Sequence, residues 1–210
     1  LLVLMFTLIR ISRQNPLELE NHIENPDKSD LFKRFPKILA DREAVDLICD
    51  TMRAAGMNYD DPMQVEEVLN KRIETNTQHA EHSAHALQSM ADGLPALGIV
   101  AAVLGVIKTM GSIDQPPEVL GKLIGSALVG TFLGVFLAYG IVGPFALKVG
   151  TVVSEDQHFY ALIREVMVAN LYRHPPNICV EVGRQNVPHQ HRPSFNALDD
   201  ALRAGKAEAA

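Results

Sequence analysis

LIGSALVGTFLGVFLAYGIVGPFAL, residues 123–147, contains no Asp, Glu, Lys, Arg or His. At a helical rise of about 1.5 Å per residue, roughly 25 such residues cross a hydrocarbon core of about 30 Å as one helix. A second charge-free run, LPALGIVAAVLGVI at 94–107, lies just upstream, and the loop between the two holds Pro116 and Pro117. No continuous helix accepts a proline pair at its centre, so the runs are expected to form a hairpin that turns at one membrane face. That pair sets the fold class: all-α, a membrane helical hairpin whose long helices extend into a helical domain outside the bilayer.

Whole-chain composition, 47% hydrophobic and 21% charged over 210 residues, conceals the hairpin because it averages apolar spans with charged flanks. A window of about 19 residues separates the two materials. Three regions result: a helical flank at 1–92, the transmembrane hairpin at 93–149 and a second helical flank at 150–210. The turn is too short to fold as a domain, which puts both flanks on one side. Its charges, Lys108, Asp114, Glu118 and Lys122, cancel, while the flanks hold most of the Lys and Arg. The positive-inside rule then makes the flanks cytoplasmic. A formal charge of -6 without a basic face excludes a nucleic-acid binder. Cys49 and Cys179 have no ligand spacing around them and read as buried small apolar residues.

Breaker clusters divide the first flank at Asn15-Pro16, Asn25-Pro26-Asp27 and Asp60-Asp61-Pro62. Asp61 is an N-cap with Pro62 at the first helical position, opening a helix that continues into the membrane at Leu94. An earlier helix over 42–55 is expected to stop at Gly56, the residue type that most readily adopts the left-handed terminating conformation. Beyond the hairpin, a helix over 154–172 ends at His174-Pro175-Pro176. A short segment ICVEVGRQNV follows, then a helix from Ser194 through Arg203 and a frayed tail at 204–210. The opening LLVLMFTLIR is too short to span, and it has no basic leader or cleavage site. It is expected to begin inside a longer protein.

Small residues recur on both spans. Gly98, Ala101, Ala102 and Gly105 make a stripe on the first; Gly121 and Gly125, then Ser126, Gly130 and Gly134, step by four along the second. Such faces let membrane helices approach closely. They serve the hairpin itself, and their extent also favours association with other subunits. Pro95 at the start of the first span has the character of a first-turn proline. Pro144, far into the second, frees a carbonyl inside the membrane and marks either a simple kink or a hinge beside an ion path. Thr131, the deepest hydroxyl of that span, either bonds back to its own helix or lines a pore. Intramembrane carboxylates are the usual ion relay, and these spans have none, so conduction requires either a partner helix that brings the acid or further spans missing from this fragment.

Elsewhere the signals are weaker. His79, His82 and His85 recur at three-residue steps, but the trio drifts around its helix and no metal is expected; the His189-Gln190-His191 cluster is weaker still. Arg13 and Glu20, with Arg10, Glu18 and Glu24, form either a solvated charged face or a docking patch. Nucleophile elbow, phosphate loop and dinucleotide fingerprint are all missing, so the reading is of a non-enzyme without cofactors.

The segment ADGLPALGIVAAVLGVIKTMGSIDQPPEVLGKLIGSALVGTFLGVFLAYGIVGPFALKV resembles the third and fourth transmembrane helices of the MotA family of flagellar motor stator subunits. IENPDKSDLF, FPKILAD, VEVGR and RPSFNALDDAL are similar to its cytoplasmic segments. The resemblance implies a ring in the bacterial inner membrane, five subunits around a pair of MotB-type partners, in contact with lipid. The ring would pass H⁺, or Na⁺ in some relatives, and push on the rotor switch protein FliG. It also implies that the partner's helix brings the acid and that Pro95 and Pro144 couple ion passage to shape change. Thr131 would face the ion path, and Arg13 and Glu20 would meet the rotor. Two further spans are then expected upstream of Leu1. Between SRQ and IENP the chain is one residue shorter than the enterobacterial pattern and carries Pro16, so the relative placement of Arg13 and Glu20 is left to the structure. Alternative readings are an energiser of the ExbB/TolQ type, which shares the hairpin but not the cytoplasmic strings, and a structural membrane oligomer without ion flux.

Overall fold

The computed structural model describes residues 1–207, and these are helical with no strand among them. Ten α-helices and one π-helical segment divide between two compact units. One unit comprises Leu1–Thr75 together with Asp156 onward; the other is Asn76–Glu155. The expected hairpin at 93–149 lies within the second unit.

Helix starts in the first unit follow capping chemistry. Helix α1 (Leu2–Gln14) ends at Asn15, which also caps α2 (Pro16–Glu24): its Oδ1 accepts from the Glu18 N–H at 3.4 Å. Ser29 caps α3 (Asp30–Lys33), and α4 (Pro36–Leu39) opens on a proline. Asp41 caps α5 (Arg42–Gly56) through the Ala44 N–H at 3.1 Å. Asp61 does the same for α6 (Pro62–Met110) through Gln64 at 2.9 Å, with Pro62 at the first position as its missing N–H allows. After the hairpin come α9 (Pro176–Asn186) and α10 (Phe195–Ala207).

The apolar opening LLVLMFTLIR is the centre of this unit. Leu4, Met5, Leu8 and Ile9 of α1 are wholly buried, in one apolar cluster with Leu47 and Ile48 of α5, Ile163 and Val166 near the chain's second long helix end, and Cys179 and Val180 of α9. Each such side chain contributes about 1.5–3 kcal/mol by leaving water, so α1 is a core helix. Gly183 of α9 lies against both Val166 and α1: a Cβ there would stand 2.4 Å from Val166 Cγ2 and 2.8 Å from Leu2 Cδ2.

The second unit holds the spans. Helix α6 is one 49-residue helix, and α7 (Pro117–Phe136), the π segment (Leu137–Val142) and α8 (Gly143–Leu171) run on as one 55-residue helix. Few of their side chains are buried within the chain; Leu97, Leu104, Leu128, Phe132 and Leu147 are all widely exposed apolar groups, as lipid or neighbouring helices require.

Several expectations are corrected. Gly56 remains inside α5 without a positive φ; the left-handed position is Asn58, at φ 63°, the next most tolerant residue type. The helix expected separately over 154–172 is the continuation of the second span, because nothing between Pro144 and Leu171 breaks it. The short segment ICVEVGRQNV is helical: all but Val187, which caps the end, lies in α9, which Pro176 opens. The C-terminal helix continues through Ala207, so the described part of the tail is helical; 208–210 lie outside the described residues.

Candidate functional site

Two rows of small residues bring the spans into backbone contact. A Cβ placed on Gly98 would meet Gly130 O at 2.9 Å and the Gly134 and Thr131 Cα atoms at 3.2 Å; one on Gly134 would meet Leu94 O at 2.7 Å and Gly98 Cα at 2.9 Å. Gly105 rests on Ala127, whose Cβ would lie 2.4 Å from any side chain added there, and Gly130 rests on Ala101 at 2.9 Å. The interlock therefore joins Gly98, Ala101 and Gly105 to Ala127, Gly130 and Gly134. Gly121 and Gly125 have nothing within 4 Å and are left on an open face.

Thr131 sits at the centre of this contact. Its Oγ1 donates to the Gly98 carbonyl at 3.4 Å, a long bond that crosses between the spans. It is not the bond back to its own helix weighed from sequence, because the acceptor is on the other span. It exists because Gly98 and Gly134 leave no side chain to hold the backbones apart.

The two prolines meet different local geometry. Pro95 is well inside α6, not in its first turn as the sequence suggested, because the helix starts at Pro62. It removes the N–H that would have bonded the Ala91 carbonyl. Pro144 is separated from the π segment only by Gly143, whose N–H donates five residues back to Ala138 O. A proline ring presses on the carbonyl four residues before it, and a widened turn just upstream accommodates that pressure. Gly143 is tight as well: a Cβ there would lie 2.8 Å from Ala138 O. Sequence reading found the proline but missed the π turn; the glycines at 140 and 143 immediately before it were the available signal.

In the first unit, Arg13 and Glu20 are both exposed, on successive helices. No ion pair joins them among the described residues. Arg13 Nη2 donates to Asn170 Oδ1 at 2.8 Å and to the His174 carbonyl at 2.6 Å, so it is tied to the end of α8 and the turn into α9. Glu20 projects from α2, whose last turn is held by Arg53 of α5. Arg53 donates Nε to Glu24 at 2.9 Å, Nη1 to Asp50 at 2.8 Å and Nη2 to the Ile23 carbonyl at 3.4 Å. Asp50 also accepts from Arg72 of α6 at 3.0 Å, and Arg72 Nε donates to Glu43 at 2.8 Å. These bonds raise the pKa of Arg53, with the Glu24 hydrogen bond as the main cause; for Arg72, burial opposes the charge but the bonds to Glu43 and Asp50 outweigh it. Sequence analysis missed this chain of charges, since its members lie on three helices.

Among the described residues no group of His, Cys, Asp and Glu is arranged to hold an ion, and His79, His82 and His85 are exposed along α6. Both cysteines are buried and free; burial pushes the Cys49 thiol up to about 12, the opposite of an activated nucleophile. A cavity of about 430 Å³ is lined by Asn70, Ile73, Glu74, Gln157, His158, Ala161 and Arg164.

The model of a family described as the MotA/TolQ/ExbB proton channel family matches residues 44–160. Motility protein A of Escherichia coli K12 is 40% identical over 207 residues, covering 98% of this chain and 70% of its own length. Chemotaxis protein LafT of Vibrio parahaemolyticus is 30% identical over 203 residues, 96% of this chain and 71% of its own. Among solved structures, C. jejuni MotAB superposes with a TM-score of 0.74 at 18% identity, covering 92% of this chain and 69% of that one. The flagellar MotAB stator complex of Bacillus subtilis gives 0.70 at 19% identity, with 90% and 67% covered. At these identities the structural likeness speaks to the fold.

Proposed function

Because the chain belongs to the MotA/TolQ/ExbB proton channel family, we propose that it is a flagellar motor stator subunit, which converts a transmembrane ion gradient into torque on the rotor. The observation that carries this reading is the match to Motility protein A along nearly the whole chain, flanks included. Relatives that share only the hairpin would leave those flanks unmatched. Two apolar helices and these relatives fit an inner-membrane protein, and the family is one of proton channels, not a known class of enzyme.

The solved relatives are MotAB complexes, which supports a MotB-type partner and an oligomer for this chain. In the finer reading, five copies surround a partner pair, both flanks of the hairpin are cytoplasmic, and the partner's helix supplies the carboxylate that these spans lack. Protonation of that acid removes a charge beside the interlocked glycines. The spans answer at their two weak points, the missing hydrogen bond at Pro95 and the π turn before Pro144, and their extensions push on FliG. Thr131 then faces the path whenever its long bond to Gly98 opens.

The test is ion leak. Cells expressing this chain with a MotB-type partner lacking its plug should acidify and stop growing, and replacing the partner's membrane aspartate with Asn should cure both. Conduction by this chain alone, or unimpaired swimming after its deletion, would overturn the reading.

A further inference from the structure

The helix that carries Glu20 is held by apolar contact through two buried side chains, Leu19 and Ile23 of α2. Its last turn is also held by charge. Arg53 caps it through the Ile23 carbonyl, one of the C-terminal groups that a helix leaves without an internal partner, and pairs with Glu24 beside it. A single carboxylate, Asp50, then joins Arg53 to Arg72 on α6, the helix that continues as the first span. Glu24, Arg53, Asp50, Arg72 and Glu43 thus form one unbroken chain of ion pairs across α2, α5 and α6.

We infer that Arg53 and Asp50 are positioning residues that orient α2 against the cytoplasmic end of the first span helix, and so set the aim of Glu20. Single exposed ion pairs contribute little to stability, because solvent screens them and side-chain entropy opposes them. Their value here lies in geometry. A guanidinium has a rigid fork of five donors. Two of the acceptors of Arg53, Glu24 and the Ile23 carbonyl, belong to α2 and fix its rotation about its axis, while Asp50 on α5 holds the fork itself in place. A lysine ammonium at that position keeps the charge but loses the fork. That Glu20 meets the rotor rests on the stator reading; the orientation of α2 does not.

The experiment measures orientation and function separately. Spin labels are placed through Leu17→Cys on α2 and Met63→Cys on α6, both exposed, while the native cysteines are buried. Labelled chains are diluted with unlabelled ones in the assembled complex, so that only distances within a chain are read. In Arg53→Gln and Asp50→Asn the distance distribution should broaden at least twofold, with Arg53→Lys intermediate. Swimming speed should fall by half or more, while ion leak with the plugless partner stays within twofold of the parent. An unchanged distribution in Arg53→Gln overturns the positioning role, and so does a broadened one with normal swimming. Absence of leak in the parent complex counts against the stator reading, and the distance measurement still decides the orientation of α2.

Discussion

Adding one methyl group at Gly134 tests whether the interlocked backbones matter. The new Cβ of Gly134→Ala would stand 2.7 Å from the Leu94 carbonyl oxygen and 2.9 Å from Gly98 Cα. Ordinary carbon contacts lie at about 3.5–4 Å, so the spans must part by about 1 Å. Neither obstacle is a side chain that can swing away. Thr131 already reaches Gly98 O at only 3.4 Å, and that separation breaks the bond. Overpacking costs about 1–3 kcal/mol, and an interhelical bond in a membrane is worth about 0.6. The better helix propensity of alanine returns at most about 1 kcal/mol. The balance is about 1.5 kcal/mol against the close hairpin, near a tenfold shift in its population. Gly150→Ala is the control, because the nearest atom to its Cβ would be Ala84 Cβ at 4.0 Å. Thermal unfolding of the purified complex and torque of tethered cells are the assays. Gly134→Ala should melt several degrees lower and lose most of its torque, with Gly150→Ala near the parent. If Gly134→Ala matches the control in both assays, the close approach is not what holds or drives the spans.

Pro144→Ala restores an N–H and relieves the ring's pressure, so the π turn should close toward α; torque should be lost while complex assembly, followed by size exclusion, survives. Cys49, raised from 9.0 to about 12 chiefly by burial, should resist iodoacetamide at pH 8 in the native complex and react on denaturation. Its contribution to stability is complete below pH 9.0 and is lost as pH rises toward 12, because the unfolded chain ionises first. Glu181 has the opposite sign: the hydrogen bond from Arg184 lowers its pKa below 4.5, so its contribution is present above that pH and disappears as pH falls through the lowered value. Glu181→Gln should flatten the acid side of the melting-temperature profile.

What could be read without coordinates were properties of neighbours along the chain. Charge-free length marks a span, Asp61-Pro62 marks a helix start, and the proline pair at 116–117 marks the turn, since each physical cause acts within a few residues. The family likeness was legible for the same reason, as strings such as IENPDKSDLF are local. Tertiary structure alone decided which glycines touch: Gly98, Gly105, Gly130 and Gly134 meet the opposite span, while Gly121 and Gly125, identical in sequence pattern, do not. It turned the apolar opening into the centre of a core, an outcome fixed by α5, α8 and α9 arriving from far along the chain. It also gave Arg13 to Asn170 and His174, and linked α2 to α6 through Asp50. Spacing within one helix constrains its own faces; which face another helix covers depends on how the whole chain closes on itself.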